Sequence, residues 1–385
     1  MPETRATRKR PATSLESSAN DAPNSSSKAH SCSQERVDVP LLRADDAEAT
    51  KKDSVAKMTE EEMALYDRQI RLWGLEAQTR MRTARILVIG VCGLAAEVCK
   101  NIVLAGIGSV TVLDSEPVSF RDIGANFFLT ADDIGVNRAD AAVVRIRNLN
   151  PRVDVKSLKN DITSLDALFL ANYDLVLVAS KVSLKELTRV NNLCRASGIK
   201  FMSGAVYGTH GYMFSDLLKY EYIEERNHTE NGVVSVKRTK KTQDFCSLES
   251  ARQTRFDSVR PKLLKRFSPV FFALQIIWRY EMEFGQMPNM LEINDSKKLE
   301  SMISEYLSST GGDLTTLMSL LPSSFVLAVA NETSLELSPV CAIVGGIVSQ
   351  EILNVVSAKE VDVCNFFCFG QSIGGVVESL GFKPQ

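Results

Sequence analysis

The residues with the clearest chemical potential form a glycine turn. Gly90, Cys92 and Gly93 follow an apolar run that predicts a buried strand, and Ala95 opens a predicted helix. A glycine-rich strand-to-helix turn with an acidic residue about 20 positions later is typical of a nucleotide-binding site. Asp114 supplies that acidic residue. The outline therefore indicates a turn that could bind phosphates and ribose.

The details of the turn argue against phosphate binding. The second glycine of the fingerprint falls on Cys92 and the third on Ala95. Because the second glycine lets the backbone approach a pyrophosphate, a side chain at Cys92 obstructs that approach. An NAD-dependent oxidoreductase is therefore the weaker interpretation. For Asp114 and Glu116, capping of the strand end is favoured over ribose binding.

The pattern around this turn predicts a doubly wound, mostly parallel, Rossmann-like α/β sheet. A capping box formed by Thr59 and Glu62 marks the start of ordered structure with a helix. Buried strands and amphipathic helices then alternate, which places helices on both faces of the sheet. Strands are predicted at 85–90, 109–114, 153–157, 174–179 and 199–203, and helices at 95–104, 138–149 and 184–196.

Composition divides the chain into four segments. Residues 1–55 are predicted to be a disordered tail because they hold too little apolar surface to offset chain entropy. The sheet domain begins in 56–225, and 226–320 is interpreted as a mobile basic loop, 226–244, followed by a helical insertion. Residues 321–385 return to the sheet domain, with a helix at 341–356 and strands at 363–369 and 374–378.

Charge and cysteine content exclude several function classes. The net charge of -2, from 45 basic and 47 acidic side chains, predicts no overall attraction to nucleic acid or to a membrane surface. The 8 cysteines include no Cys-x-x-Cys pair, and with 3 histidines they predict no metal site. No run approaches the roughly 18 apolar residues of a membrane span, so we expect a cytosolic or nuclear protein. The basic cluster at 8–10 is compatible with nuclear import and with a solvated charge run.

The segment Tyr66-Asp-Arg-Gln-Ile-Arg-Leu-Trp-Gly74 resembles the opening signature of the activating enzymes of ubiquitin-like proteins. Further segments resemble the SUMO-activating branch of that family, and the resemblance covers about 58–382. They lie at 100–106, 148–151, 208–212, 339–351 and 365–367. The resemblance implies a heterodimer of two homologous adenylation domains, of which one is catalytically complete. It also implies ATP-dependent adenylation of the SUMO C-terminus and transfer to a cysteine of the partner subunit.

The chain departs from the complete members of that family at most ligand positions. It has no aspartate in 175–215, where the magnesium-linked one of the family falls. The other departures are Cys92 and Ala95 in the turn, Asp114-Ser-Glu116 at the strand end, Ala125 at the arginine position and Arg138 at the lysine position. The resemblance therefore implies a non-catalytic subunit with a degenerate nucleotide site, while the partner binds most of the ATP and magnesium. A stand-alone homodimeric adenylating enzyme for a sulfur-carrier or ubiquitin-like protein is the alternative.

The resemblance marks Arg68 as a residue that reaches in trans to the partner's ATP. Three alternatives that involve no special chemistry stay open. Arg68 could pair with Asp67 or Glu62 on the same helix, which would leave the subunit a scaffold. Arg138 could be a solvated surface charge, and Cys246 is expected to pack in the core rather than act as a nucleophile.

Two adjacent helical glycines indicate a close approach by another backbone. Gly345 and Gly346 each cost the helix about 1 kcal/mol in propensity, which an approaching backbone can offset. The resemblance places this helix, which begins near Cys341, beside the paired subunit. We therefore expect Cys341, Gly345 and Gly346 to lie at the subunit interface.

Overall fold

The computed structural model describes residues 58–230 and 233–381, and the predicted tail lies outside them. Eight strands form one sheet in the order β10-β9-β6-β5-β4-β1-β2-β3, parallel from β5 to β3 and antiparallel from β5 to β10. These strands are β1 (Arg85–Ile89), β2 (Ser109–Leu113), β3 (Asp154–Leu158), β4 (Leu175–Val178), β5 (Lys200–Tyr207), β6 (His210–Asp216), β9 (Phe366–Gly370) and β10 (Gly374–Glu378). The predicted doubly wound, mostly parallel α/β fold is confirmed.

Helices cover both faces of the sheet, and the insertion between the hairpin and the last helix is helical, as predicted. The α-helices in the described ranges are α1 (Glu60–Leu65), α2 (Asp67–Trp73), α3 (Leu75–Met81), α4 (Gly93–Leu104), α5 (Arg138–Leu149), α6 (Ala167–Leu170), α7 (Leu184–Ala196), α8 (Leu248–Arg252), α9 (Pro261–Leu264), α10 (Pro269–Phe284), α11 (Ile293–Ser309), α12 (Leu314–Leu320), α13 (Ser323–Asn331) and α14 (Ser338–Ser357).

The signature segment is fixed to the C-terminal end of α4. The predicted capping box is present, since the Thr59 hydroxyl accepts from the Glu62 amide and the Glu62 carboxylate accepts from the Thr59 amide. Tyr66 is buried, and its hydroxyl accepts a 2.8 Å hydrogen bond from the Asn150 side chain. Its ring packs so closely on Gly106, just beyond α4, that a Cβ there would lie 2.6 Å from ring atoms.

The close helix approach predicted from the two glycines is made within the chain. A Cβ on Gly345 would lie 2.7 Å from the Cβ of Glu97, so α14 packs directly on α4. Cys341 is fully buried in the same contact layer. The assignment of Cys341 and Gly345 to a partner interface is therefore wrong, because both face the core. Gly346 has no atom within 4 Å of an added Cβ, so it alone of the three stays a candidate for that interface.

The predicted basic loop at 226–244 is wrong, because that region forms a hairpin. β7 (Lys219–Glu230) pairs antiparallel with β8 (Val233–Asp244) in a separate two-stranded sheet. Polar side chains dominate both strands, and ion pairs such as Lys240 with Glu221 at 2.6 Å connect them. Tyr220 is buried at the start of β7, but 224–230 and 237–244 hold no apolar residue. The alternation of apolar and polar residues that identifies most strands is therefore missing from those parts of the hairpin.

Helix α14 corrects a second expectation. In the described ranges it is long and apolar enough to span a membrane by composition, as is the bent pair α12 and α13 if counted together. The expectation that no segment approaches the length and apolar character of a membrane span is therefore wrong. Most of α14 is nevertheless buried in the protein, packed on α4 and the sheet, as is typical of a core helix.

Adjacent glycines of α14 should respond oppositely to the same substitution. Gly345→Ala should lower the free energy of unfolding by about 1 to 3 kcal/mol, because the new methyl group overlaps Glu97 and forces the helices apart. Gly346→Ala is the matched control and should raise it by up to about 1 kcal/mol, because it gains helix propensity in open space. Urea unfolding measures the free energy of unfolding of both variants. If that free energy changes in the same direction in both, the packing of α14 on α4 at Gly345 is contradicted.

Candidate functional site

Four residues of the predicted nucleotide site meet at the carboxyl ends of β1, β2 and β4, where open α/β sheets bind ligands: Gly90, Asp114, Glu116 and Arg138. A cavity of about 270 Å³ lies there. Its lining includes Gly90, Asp114, Glu116, Arg138, Asp161 and Lys181. This volume is slightly below the roughly 300 to 1,000 Å³ of typical small-molecule sites.

Both glycines of the turn are required by packing within the chain. Gly90 has a φ of +92°, and a Cβ there would lie 2.4 Å from the Cβ of Ser180, just past β4. A Cβ on Gly93 would lie 2.7 Å from the Cβ of Ala125 and 3.0 Å from the sulfur of Cys341. The glycines thus bring α4 close to its neighbours, and Ala125 occupies the space beside Gly93.

The two residues that replace glycines are also engaged within the chain. The Cys92 thiol donates a 2.7 Å hydrogen bond to the carbonyl of Ala179 at the end of β4. Burial raises the pKa of Cys92 well above its ordinary value, and the nearby charge of Glu336 adds to the shift. The thiol therefore stays neutral. Ala95 is buried in the first turn of α4 and contributes to the core.

Asp114 fastens the turn to the end of β2. One carboxylate oxygen accepts from the Val91 amide at 2.8 Å, and the other accepts from the Glu116 amide at 2.9 Å. Burial raises the pKa of Asp114, against the opposing effects of these hydrogen bonds and of Arg138. These two bonds are those of a strand-end cap, which is the favoured interpretation of Asp114.

Arg138 is part of the cleft, so the alternative of a solvated surface charge is wrong. Its guanidinium lies 3.7 Å from Asp114 and 3.2 Å from Asp122, and its side chain is only 24% exposed. Asp122 lies in a short 3-10 turn, 122–124, that the sequence pattern did not predict. The arginine balances the negative charge of these two carboxylates.

Sequence reasoning missed three residues that complete the site. The Gly93 amide, the first of α4, donates to a carboxylate oxygen of Glu336 at 2.9 Å. The Lys181 ammonium donates to the carbonyl of Leu335 at 2.7 Å. The Asn126 side chain donates to the Val91 carbonyl at 2.9 Å and so holds the turn from the other side. No local pattern marks Glu336, which is separated from Gly93 by most of the chain.

The residues present do not fit a nucleotide or its magnesium ion. An acceptor from the chain itself already occupies the amide that would meet a phosphate, and the oxygens of Asp114 are used. Ala125 offers no charge. Within 58–230 and 233–381, no group of three His, Cys, Asp or Glu side chains is placed to hold a metal ion.

Arg68 lies far from this cleft, on the exposed side of α2. The acids proposed as its helical partners are engaged elsewhere: Asp67 pairs with Arg71 at 2.9 Å, and Glu62 pairs with Arg82 at 3.2 Å. Among the described residues, Arg68 has no ion-pair partner. Its neighbour Tyr66 contacts the C-terminal end of the 12-residue helix α4. The cleft lies at the other end, about 18 Å away along such a helix.

Cys246 is held as a packing residue. Its thiol donates to the carbonyl of Leu380 at 3.2 Å, and the Asn365 side chain donates to its sulfur at 3.1 Å. Burial raises the pKa of Cys246, whereas a nucleophilic cysteine needs a lowered pKa. This geometry supports the expectation of core packing.

Comparison with known proteins agrees with this picture of an altered adenylation fold. The ThiF family model matches residues 66–380, so the chain belongs to the ThiF family. SUMO-activating enzyme subunit 1 of Xenopus tropicalis is 39% identical over 350 residues, which cover 85% of this chain and 98% of that protein. The Homo sapiens subunit 1 is 37% identical over 352 residues, 86% of this chain and 99% of the relative. The Danio rerio subunit 1 is 37% identical over 345 residues, which cover 85% of this chain and 97% of that protein. Within its family the chain groups with these subunits, which confirms the resemblance.

The isolated chain should bind neither ATP nor NAD measurably, because its own groups occupy the phosphate and ribose positions. Calorimetric titration with each nucleotide in the presence of magnesium is the measurement, with a ThiF enzyme that has a complete glycine turn as positive control. A magnesium-dependent dissociation constant in the micromolar range would contradict the degenerate-site assignment.

Proposed function

We propose that this chain is the non-catalytic subunit of a heterodimeric SUMO-activating enzyme. The observation that carries the proposal is the closed cleft, in a chain whose relatives are named as subunit 1 of such enzymes. Family members use ATP and magnesium, and here the partner subunit binds most of both. The reaction is adenylation of the SUMO C-terminal carboxylate with release of pyrophosphate, followed by thioester formation on a cysteine of the partner. We also propose a nuclear location, supported by Arg8, Lys9 and Arg10, which lie outside the described residues.

Reconstitution tests this assignment directly. The chain is co-expressed with the candidate catalytic subunit, and ATP–pyrophosphate exchange is measured with SUMO. Exchange should require both subunits and SUMO. Exchange by the isolated chain would instead favour the stand-alone homodimeric enzyme, which the closed cleft argues against.

The exposed face of α14 supports a subunit interface. Leu337 and Ile343 are 41% and 44% exposed, and Ile347 is half-buried beside open Gly346. Leu337 is the residue just before the helix, whereas Ile343, Gly346 and Ile347 recur at three- and four-residue spacing. These last three therefore form a short apolar stripe on one side of α14, away from Gly345, which contacts α4. Apolar centres of this kind are typical of obligate interfaces, which bury more than about 2,000 Å².

A bulky side chain at Gly346 should weaken assembly with the catalytic subunit. Gly346→Trp adds an indole to the middle of the stripe, where a partner backbone would otherwise approach. Ser304→Trp, at an exposed position of α11 in the helical insertion, is the control for the effect of a surface tryptophan. Size-exclusion chromatography and a binding titration are the measurements. If Gly346→Trp co-elutes with its partner at unchanged affinity, the interface is elsewhere.

Arg68 is proposed to contact the partner's ATP. It is exposed, has no ion-pair partner in the described part of the chain, and lies at the opposite end of α4 from the closed cleft. Negative charge develops on the phosphates as pyrophosphate leaves, and a guanidinium can donate to more than one phosphate oxygen. These features support a role in trans rather than in the chain's own cleft.

Arg68→Ala should leave the heterodimer intact and slow SUMO adenylation by about tenfold or more, roughly 1.4 kcal/mol in barrier. Arg71→Ala is the matched control on the same helix. It removes only the exposed pair with Asp67, and such pairs contribute about 0.3 to 0.5 kcal/mol to stability. Exchange rates at limiting ATP are compared. Full rates in both variants would make this subunit a scaffold without a catalytic arginine.

A further inference from the structure

The segment Glu332–Leu337, which joins α13 to α14, lies across the end of the sheet where ligands bind. We call it the clasp segment. The Leu335 carbonyl accepts from Lys181, just past β4, at 2.7 Å and from the Gly208 amide, just past β5, at 3.0 Å. Gly208 also pairs with Glu336 in a parallel bridge. Two hydrogen bonds and one isolated bridge thus hold the clasp segment at the carboxyl ends of two strands.

Two carboxylates fix the clasp segment at either end. Glu332 accepts from the amide of Thr209 at 2.7 Å and from its hydroxyl at 2.6 Å. Glu336 accepts from the Gly93 amide at 2.9 Å. The Gly93 amide begins α4 at the strand-to-helix turn, which is the position where this class of fold presents its amides to a phosphate. A negatively charged group therefore stands at the phosphate position, and the chain itself supplies it.

The surroundings of Glu336 are suited to an anion. Burial lowers the pKa of Lys181, while the charge of Glu336 acts in the opposite direction. The thiols nearby are neutral, since burial raises the pKa of Cys92 well above its ordinary value and that of Cys341 to about 12. The Glu336 carboxylate thus accepts from the amide at the positive end of α4, and the Lys181 ammonium lies near enough for its pKa to respond to that carboxylate.

We infer that the clasp segment is an internal ligand that keeps the nucleotide-binding end of the sheet closed, with the Glu336 carboxylate in place of a phosphate. Removal of that carboxylate uncovers an oxyanion site formed by the Gly93 amide and the Lys181 ammonium. The ligand class is a phosphate group, whether as free phosphate or as part of a nucleotide. The inference goes beyond the proposed function and holds whether or not a partner subunit is bound.

The test is phosphate binding by the full chain and its Glu336→Ala variant. Melting temperature is followed against inorganic phosphate, with sodium chloride at equal ionic strength as reference. The variant should melt lower than wild type and bind phosphate about tenfold more tightly or better, as expected for charge-assisted hydrogen bonds. Glu360→Ala, which removes an exposed carboxylate outside the cleft, is the matched control and should behave as wild type.

Further variants make the result decisive. Adding Lys181→Met to Glu336→Ala should abolish the phosphate response, and a response that persists would overturn the inference. A folded Glu336→Ala variant that shows no phosphate response would overturn it as well. If Glu336→Ala does not fold, Glu336→Ser is used instead, because its short polar side chain cannot reach the Gly93 amide. It should show the same phosphate response, and no response would equally overturn the inference. A parallel titration of the same variant with ATP in the absence of magnesium distinguishes a nucleotide from free phosphate as the ligand. If ATP binds more tightly than phosphate, the site is a closed nucleotide site. If the two bind equally, it is a site for the free ion.

Discussion

The first turn of α4 leaves backbone amides without acceptors inside the helix, and a buried amide has to be satisfied by some other group. In this chain the carboxylate of Glu336 satisfies the first of them. That contact fixes the start of α14, which begins at Ser338, and so sets how α14 lies on α4. The same contact fills the place of a phosphate. One contact therefore links the packing of α14 to the occupation of the first amide of α4.

The two ends of α4 have different roles. At its N-terminal end the chain's own groups occupy the cleft, and Arg138 balances the remaining carboxylates. At its C-terminal end Tyr66 packs on Gly106 and thereby holds α2 against the body of the protein, with Arg68 exposed. The exposed Arg68 therefore lies at the end of α4 opposite to the cleft.

The sequence predicted the elements whose signals are local. Helices α5 and α7 have the predicted bounds because Asn137 and Ser183 cap their first turns and apolar residues recur at helical spacing. The part of the hairpin in 226–244 was missed because its residues are mostly polar and lack the usual alternation. Glu336 was missed because its contact with Gly93 joins distant parts of the chain. For Gly345, the sequence correctly indicated that another segment approaches the helix closely. Helix propensity cannot tell whether that segment belongs to the same chain or to a partner subunit.

A ligand that is part of the chain is never diluted. Because the clasp segment is tethered at both ends, the effective concentration of its carboxylate at α4 is on the order of millimolar or higher. Dissolved anions of the cell would have to compete with that concentration, and a metabolite that falls in starvation or rises in growth would leave the site unchanged. The occupation of the first amide of α4 is thus set by the chain's own geometry rather than by the supply of a small molecule.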